Sequence, residues 1–176
     1  MIQEPAADRA PSGDYPPLRI GPDPLARFIS LSAALTGFSQ AELQGTGMAQ
    51  EYYTVMRSTL SEPLVGRLLL QWTLIEALDA YLHDEYLTNT ILGDETLGPM
   101  ARNLITLWYL GQWWQLPVAW RQLHGANAQD TTRVVSAQAY EEGLVWVAMG
   151  VHPQGAKQPG YGSWALEPAP LPEKAT

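Results

Sequence analysis

Between Asp23-Pro24 and Gly150 the apolar side chains of this 176-residue chain recur every three to four positions and nowhere in sustained alternation, with glycine or proline near the ends of most stretches. That period lines up apolar groups along one side of a helix, whereas a half-buried strand needs a period of two. The chain is therefore read as all-α, a small irregular helical bundle over residues 24–149. An extended Pro-rich leader over 1–23 precedes it, and a Pro/Gly/Trp-rich tail over 150–176 follows, suited to wrapping a partner.

Local signals place the elements. Asp23 caps a first helix with Pro24 at its first position; Leu25, Phe28, Ile29, Ser32 and Leu35 form its stripe, and Gly37 stops it. Ser39 and Glu42 form a capping box that opens a second helix running through Tyr52, Tyr53 and Met56, with Gly45 and Gly47 weakening its early turns. A third helical region starts near Ser61-Glu62-Pro63 and is apolar through Leu64, Val65, Leu68, Leu69, Trp72, Ile75, Leu78 and Leu82, with a break or kink expected between 70 and 74. Turns at Gly93-Asp94 and Gly98-Pro99 lead to a helix through Met100, Leu104, Leu107, Trp108 and Leu110, ended by Gly111 and fixed by Pro117. A loop holding Trp113, Trp114 and Trp120 comes next. Ser136 then caps a last helix with Tyr140, Leu144, Val147 and Ala148 along one face.

Composition excludes several function classes. A net charge of −8 and the absence of any Lys/Arg cluster argue against nucleic-acid binding, which needs a basic patch to displace counterions from phosphates. With no cysteine there is no disulfide, thiolate nucleophile, Fe–S cluster or Cys-based zinc site. No run of about 18 apolar residues is present, so no membrane span is expected. Residues 1–24 hold six prolines but neither an apolar core nor a twin-arginine pair, and are not read as a signal peptide. From Leu68 to Ala101 there is no Lys or Arg, while Glu76, Asp79, Asp84, Glu85, Asp94 and Glu95 lie there. This acidic stretch reads as a solvated helix face, or as a docking patch that steers a basic partner.

Candidate chemistry is sparse. His83 follows Asp79 by four residues, which would put both on one helix face with Asp84 and Glu85 nearby, a donor set of metal-binding type. An ordinary surface histidine on an acidic helix accounts for the same spacing, and His124 and His152 sit in loops without a matching ligand. No Gly-x-Ser-x-Gly elbow, Gly-x-Gly-x-x-Gly turn or phosphate loop occurs, and Gly45-Thr46-Gly47 lacks both the third glycine and a preceding strand. No catalytic residue is assigned.

Aromatic residues concentrate instead: six of the seven Trp lie between 108 and 164. Such rings serve as core, as a protein interface or as stacking platforms for sugars. Burying Tyr161 and Trp164 would contribute roughly 4–6 kcal/mol each. At about 1.5 kcal/mol per ordered residue this offsets only ~5–8 residues of the tail, which needs further contacts across a partner to become ordered.

Four segments carry a family resemblance: Phe28-Ile29-Ser30-Leu31-Ser32-Ala33-Ala34-Leu35-Thr36-Gly37, Leu107-Trp108-Tyr109-Leu110-Gly111, Tyr140-Glu141-Glu142-Gly143-Leu144 and Pro159-Gly160-Tyr161-Gly162-Ser163-Trp164. In order and spacing, over roughly residues 25–168, they resemble the small (gamma) subunit of bacterial FAD-dependent sorbitol, glucose and fructose dehydrogenase complexes. The resemblance implies a non-catalytic, chaperone-like subunit with no cofactor of its own. FAD and the catalytic histidine would reside in a large flavoprotein of the glucose-methanol-choline (GMC) oxidoreductase type, and a cytochrome c subunit would be a further partner. It also implies a periplasmic or membrane-associated complex, sharing a twin-arginine signal that this sequence does not display; without one, the complex would be cytoplasmic. Tyr109, Trp113, Trp114, Tyr161 and Trp164 are the residues expected to hold the partner. The alternatives are a stand-alone helical metal-dependent enzyme using Asp79 and His83, and a carbohydrate-binding module.

Overall fold

A computed structural model describes residues 23–125 and 127–154. The leader before Asp23 and the tail residues Tyr161 and Trp164 lie outside them, as do the expectations placed on those segments. Helix α1 (Pro24–Thr36) has Pro24 at its first position, and Gly37 ends it in the left-handed region at φ 77°. Asp23 stands at the cap position, but its side chain makes no capping bond. The Ser39 capping box forms as expected and opens α2 (Gln40–Gly45). The Ser39 hydroxyl and backbone N–H both donate to Glu42, holding its carboxyl below the usual range.

The second helix does not run through to Met56. Gly47, at φ 72°, turns the chain, Thr46 Oγ1 accepts from the Met48 N–H at 3.1 Å, and a separate α3 (Ala49–Thr59) begins. Helix α4 (Glu62–Glu76) has no kink between 70 and 74. Nothing in Gln71-Trp72-Thr73-Leu74 removes a backbone donor, and Thr73 returns its hydroxyl to the Leu69 carbonyl at 2.9 Å. What reads as an interrupted pattern is a helix apolar on two sides. Val65, Leu68, Leu69, Trp72 and Ile75 face the core, while Leu70 and Leu74 face solvent.

After α4 the chain makes a single 3₁₀ turn (Ala80–Leu82), then α5 (His83–Tyr86) and a π-helical turn (Leu87–Leu92). Helix α6 (Leu97–Leu110) is ended by Gly111 at φ 65°. Strand β1 (Gln112–Trp113) pairs antiparallel with β2 (Arg133–Val134), Gln112 opposite Val134 and Trp113 opposite Arg133. Between them lies α7 (Val118–His124), which carries Trp120 on a helix rather than in a loop. Ser136 caps α8 (Ala137–Glu141), its hydroxyl accepting from the Ala139 N–H at 3.1 Å. The last helix is split: Gly143 passes against the Tyr109 carbonyl, where a Cβ would come within 2.8 Å, and α9 (Leu144–Ala148) follows as a separate turn. The class is all-α, with a two-residue ladder as its only sheet among the described residues.

Helix α1 packs against α2, α3, α4 and α6, which is why Phe28, Ser30, Leu31 and Ser32 are buried together. At the centre, the Phe28 and Trp108 rings stack at 6.3 Å and Tyr52 meets Trp108 edge-on at 4.8 Å. The Tyr52 hydroxyl is buried there with no hydrogen-bond partner among the described residues. Burial, reinforced by the Glu51 and Glu142 carboxylates, pushes its phenol far above the ordinary value. Tyr52→Phe is therefore expected to stabilise the fold by about 1 kcal/mol, since it removes a desolvated polar atom and keeps the ring. The folded state favours the neutral phenol. Its contribution is thus complete below the ordinary tyrosine pKa and is lost as pH rises toward the raised value, so the variant should lose less stability in alkali. Urea titrations near neutrality and above pH ~10 measure both effects.

Candidate partner interface

Residues 103–134 form a scaffold built on two polar side chains. Asn103, buried on α6, takes both backbone polar groups of Trp114: its Nδ2 donates to the carbonyl and its Oδ1 accepts from the N–H at 3.0 Å. Asp130, 2% exposed, accepts from Trp113 Nε1 at 2.9 Å and from the Leu116 N–H at 3.1 and 3.2 Å, with Arg121 Nε 3.9 Å away. Gln115 completes the tie by donating to Thr132 Oγ1 and to the Asp130 carbonyl. Neither Asn103 nor Asp130 was singled out by sequence reasoning, because polar residues in an apolar helix and in a loop carry no periodic signal.

This scaffold sorts the expected interface residues. Trp113 is fully buried in the chain's own core, with Trp108 and Trp120. Tyr109 is half-buried; its hydroxyl donates to the Thr36 carbonyl at 2.9 Å and its ring meets Phe38 edge-on at 6.1 Å, so it ties α6 to the end of α1. Trp114 differs. It is 51% exposed, with Nε1 donating to Gln112 Oε1 at 3.1 Å. Its ring borders a groove of about 340 Å³ shared with Pro99, Arg102, Thr106 and Leu116. Of the three described candidates, Trp114 alone leaves half of its surface to solvent.

Two further apolar surfaces were not anticipated. Leu70 is 56% exposed, Leu74 57% and Tyr81 79%, with Leu78 and Tyr86 beside them in sequence. Val147, Met149 and Val151 are also exposed, beside a second cleft of about 340 Å³ lined by Phe38, Glu42, Leu144, Trp146 and Pro153. The Trp146 ring packs on Tyr140 at 5.3 Å and its Nε1 donates to the Tyr140 carbonyl at 2.7 Å. Val151, His152 and Pro153, among the last described residues, line this cleft.

The acidic stretch resolves into two groups. Glu76 accepts from Ser30, whose hydroxyl also accepts from Trp72 Nε1. Asp94 accepts from the Thr96 and Leu97 N–H groups at the start of α6 and pairs with Arg67 at 3.0 Å. Asp79, Asp84, Glu85 and Glu95 remain exposed. The helix face that the Asp79/His83 spacing predicts does not form: α4 ends at Glu76, Asp79 is extended, and His83 opens α5 with its Nε2 3.1 Å from the Leu78 carbonyl. Among the described residues no three His, Asp or Glu side chains converge in a metal-binding arrangement, and no helix is long and apolar enough to cross a membrane.

No protein-family model, curated protein or solved structure matches the chain.

Proposed function

We propose that this chain is the non-catalytic small subunit of a heteromeric FAD-dependent sugar or polyol dehydrogenase, supporting the folding, stability and export of a GMC-type flavin-bearing large subunit. One observation carries the partner-binding half of the reading. The chain closes its own core around Phe28, Tyr52 and Trp108, yet leaves Trp114, Leu70, Leu74 and Tyr81 in solvent. Exposed apolar surface beyond what a closed core needs is the mark of a surface meant for another protein. The identity of the partner rests on the four motifs read from the sequence. FAD belongs to that partner, a cytochrome c subunit would extend the complex, and the periplasmic face of the membrane is the compartment this reading favours.

Co-expression with a GMC-type flavoprotein large subunit tests the proposal. The large subunit should gain solubility, flavin content and dehydrogenase activity when the chain is present; equal values without the chain overturn the reading. Within the complex, Trp114→Ala should weaken assembly by about 10–30-fold, as loss of an interface aromatic does. Affinity measured by titration of labelled subunit checks this, and an unchanged value removes Trp114 from the interface.

A further inference from the structure

The outer side of α4 and the segment that returns along it form one surface. Arg67 pairs with Asp94, and Gln71 Nε2 donates to Thr90 Oγ1 at 3.2 Å. The two ties step together, four residues forward on α4 against four residues back on the returning segment. The segment that holds Tyr86 packs along α4 in this antiparallel sense. Leu70 and Leu74 are one turn apart on the outer side of α4, and Leu78 and Tyr81 continue from its end. The five side chains, 38–79% exposed, together offer apolar area comparable with the ~300–600 Å² that the largest apolar patch of a monomer covers. A stable complex buries about 800 Å² per partner, so the ridge is the right size for the dry centre of such an interface with a polar rim around it.

Arg67 is paired with Asp94, and the unpaired charges near the ridge are negative. Asp79, Asp84 and Glu85 are exposed around the ridge, and none of them forms an ion pair among the described residues. We propose that this ridge is a docking surface for a partner protein whose contact patch has an apolar centre and a Lys/Arg rim. It deepens the subunit reading and rests on it for the partner's identity, while the recognition chemistry comes from the ridge alone. A second copy of this chain would set Asp79, Asp84 and Glu85 near like charges, and an anionic bilayer would meet the same repulsion. Burial of Leu74 and Tyr81 supplies the affinity, and the carboxylates supply orientation and encounter rate.

The test uses the full chain and a fluorescein-labelled amphipathic helix of leucine and lysine, with a leucine/glutamate helix as its counterpart. Fluorescence anisotropy should show binding of the lysine helix and none of the glutamate helix. Affinity should fall about tenfold or more in Leu74→Ser/Tyr81→Ser, and several-fold in Asp84→Asn/Glu85→Gln, with a weaker salt dependence in the latter. All four positions are exposed, and circular dichroism confirms that both variants remain folded. Absence of lysine-helix binding overturns the proposal, as does equal binding by the serine variant, which would leave charge attraction alone. Sedimentation showing self-association that the serine variant abolishes also overturns it, as does variant-sensitive binding to phosphatidylglycerol vesicles. The peptide requires no flavoprotein, so failure here leaves the subunit reading intact, and failure of the flavoprotein to assemble leaves this surface standing.

Discussion

Asp130→Ala should destabilise the chain by about 3–5 kcal/mol, the range for removing one partner from a buried charged network. The carboxylate satisfies Trp113 Nε1–H and the Leu116 N–H from a position almost fully out of water. Alanine returns neither bond, so two donors lose their acceptor at about 1–3 kcal/mol each. Arg121 keeps one anchor, since its Nε also donates to the Leu116 carbonyl at 3.1 Å. Asp130→Asn keeps one acceptor oxygen but turns an amide toward Arg121, and should lose roughly half as much. Urea unfolding followed by tryptophan fluorescence measures both. A loss under ~1 kcal/mol for the alanine variant would mean that the carboxylate is not the tie between β1 and α7. Trp114 stands next to Trp113, so the same variant should also loosen the aromatic surface offered to a partner.

Local signals in the sequence located much of this fold. Pro24, Gly37, the Ser39–Glu42 box, Gly111 and Ser136 each act within a turn of their own position, and each stands where its chemistry predicts. The orientation of the tryptophans was not legible. Trp113 and Trp114 are neighbours, yet Trp113, the last residue of β1, is buried while Trp114, just beyond the strand, is half exposed. So short a strand has no readable period; Asn103 holds the Trp114 backbone from 11 residues away and Asp130 holds the Trp113 indole N–H from 17. Helix α4 misled for the opposite reason. Its periodicity was legible, but a second apolar side at Leu70 and Leu74 resembled a disruption of the first, because a sequence does not say which of two apolar faces is covered. The acidic residues of 76–95 divide likewise: Glu76 and Asp94 answer internal donors, while Asp79, Asp84 and Glu85 face solvent, and only the tertiary contacts separate them.

Gly111→Ala should cost about 2–5 kcal/mol, and Gly37→Ala only about 1–2. Both glycines end a helix with positive φ, 65° and 77°, so alanine at either position pays the same left-handed penalty. Their surroundings differ. At Gly37 an added Cβ meets nothing within 4 Å, whereas at Gly111 it would fall on the Ala139 carbonyl and crowd the Ala139 side chain at 3.0 Å. The obstacle is largely backbone, so α8 must move rather than a side chain rotate, and overpacking of that kind typically adds about 1–3 kcal/mol. Gly111 also accepts the Val135 N–H at 2.9 Å, so its displacement strains the approach to β2 as well. Paired urea titrations isolate the steric part as the difference between the two variants, free of the shared backbone term. Equal losses would show that α8 accommodates the methyl group. A larger loss at Gly111 would make the close approach of α6 and α8 the reason that glycine, rather than asparagine, stands at the end of the Leu107-Trp108-Tyr109-Leu110 segment, because asparagine tolerates the dihedral angles but brings the same Cβ.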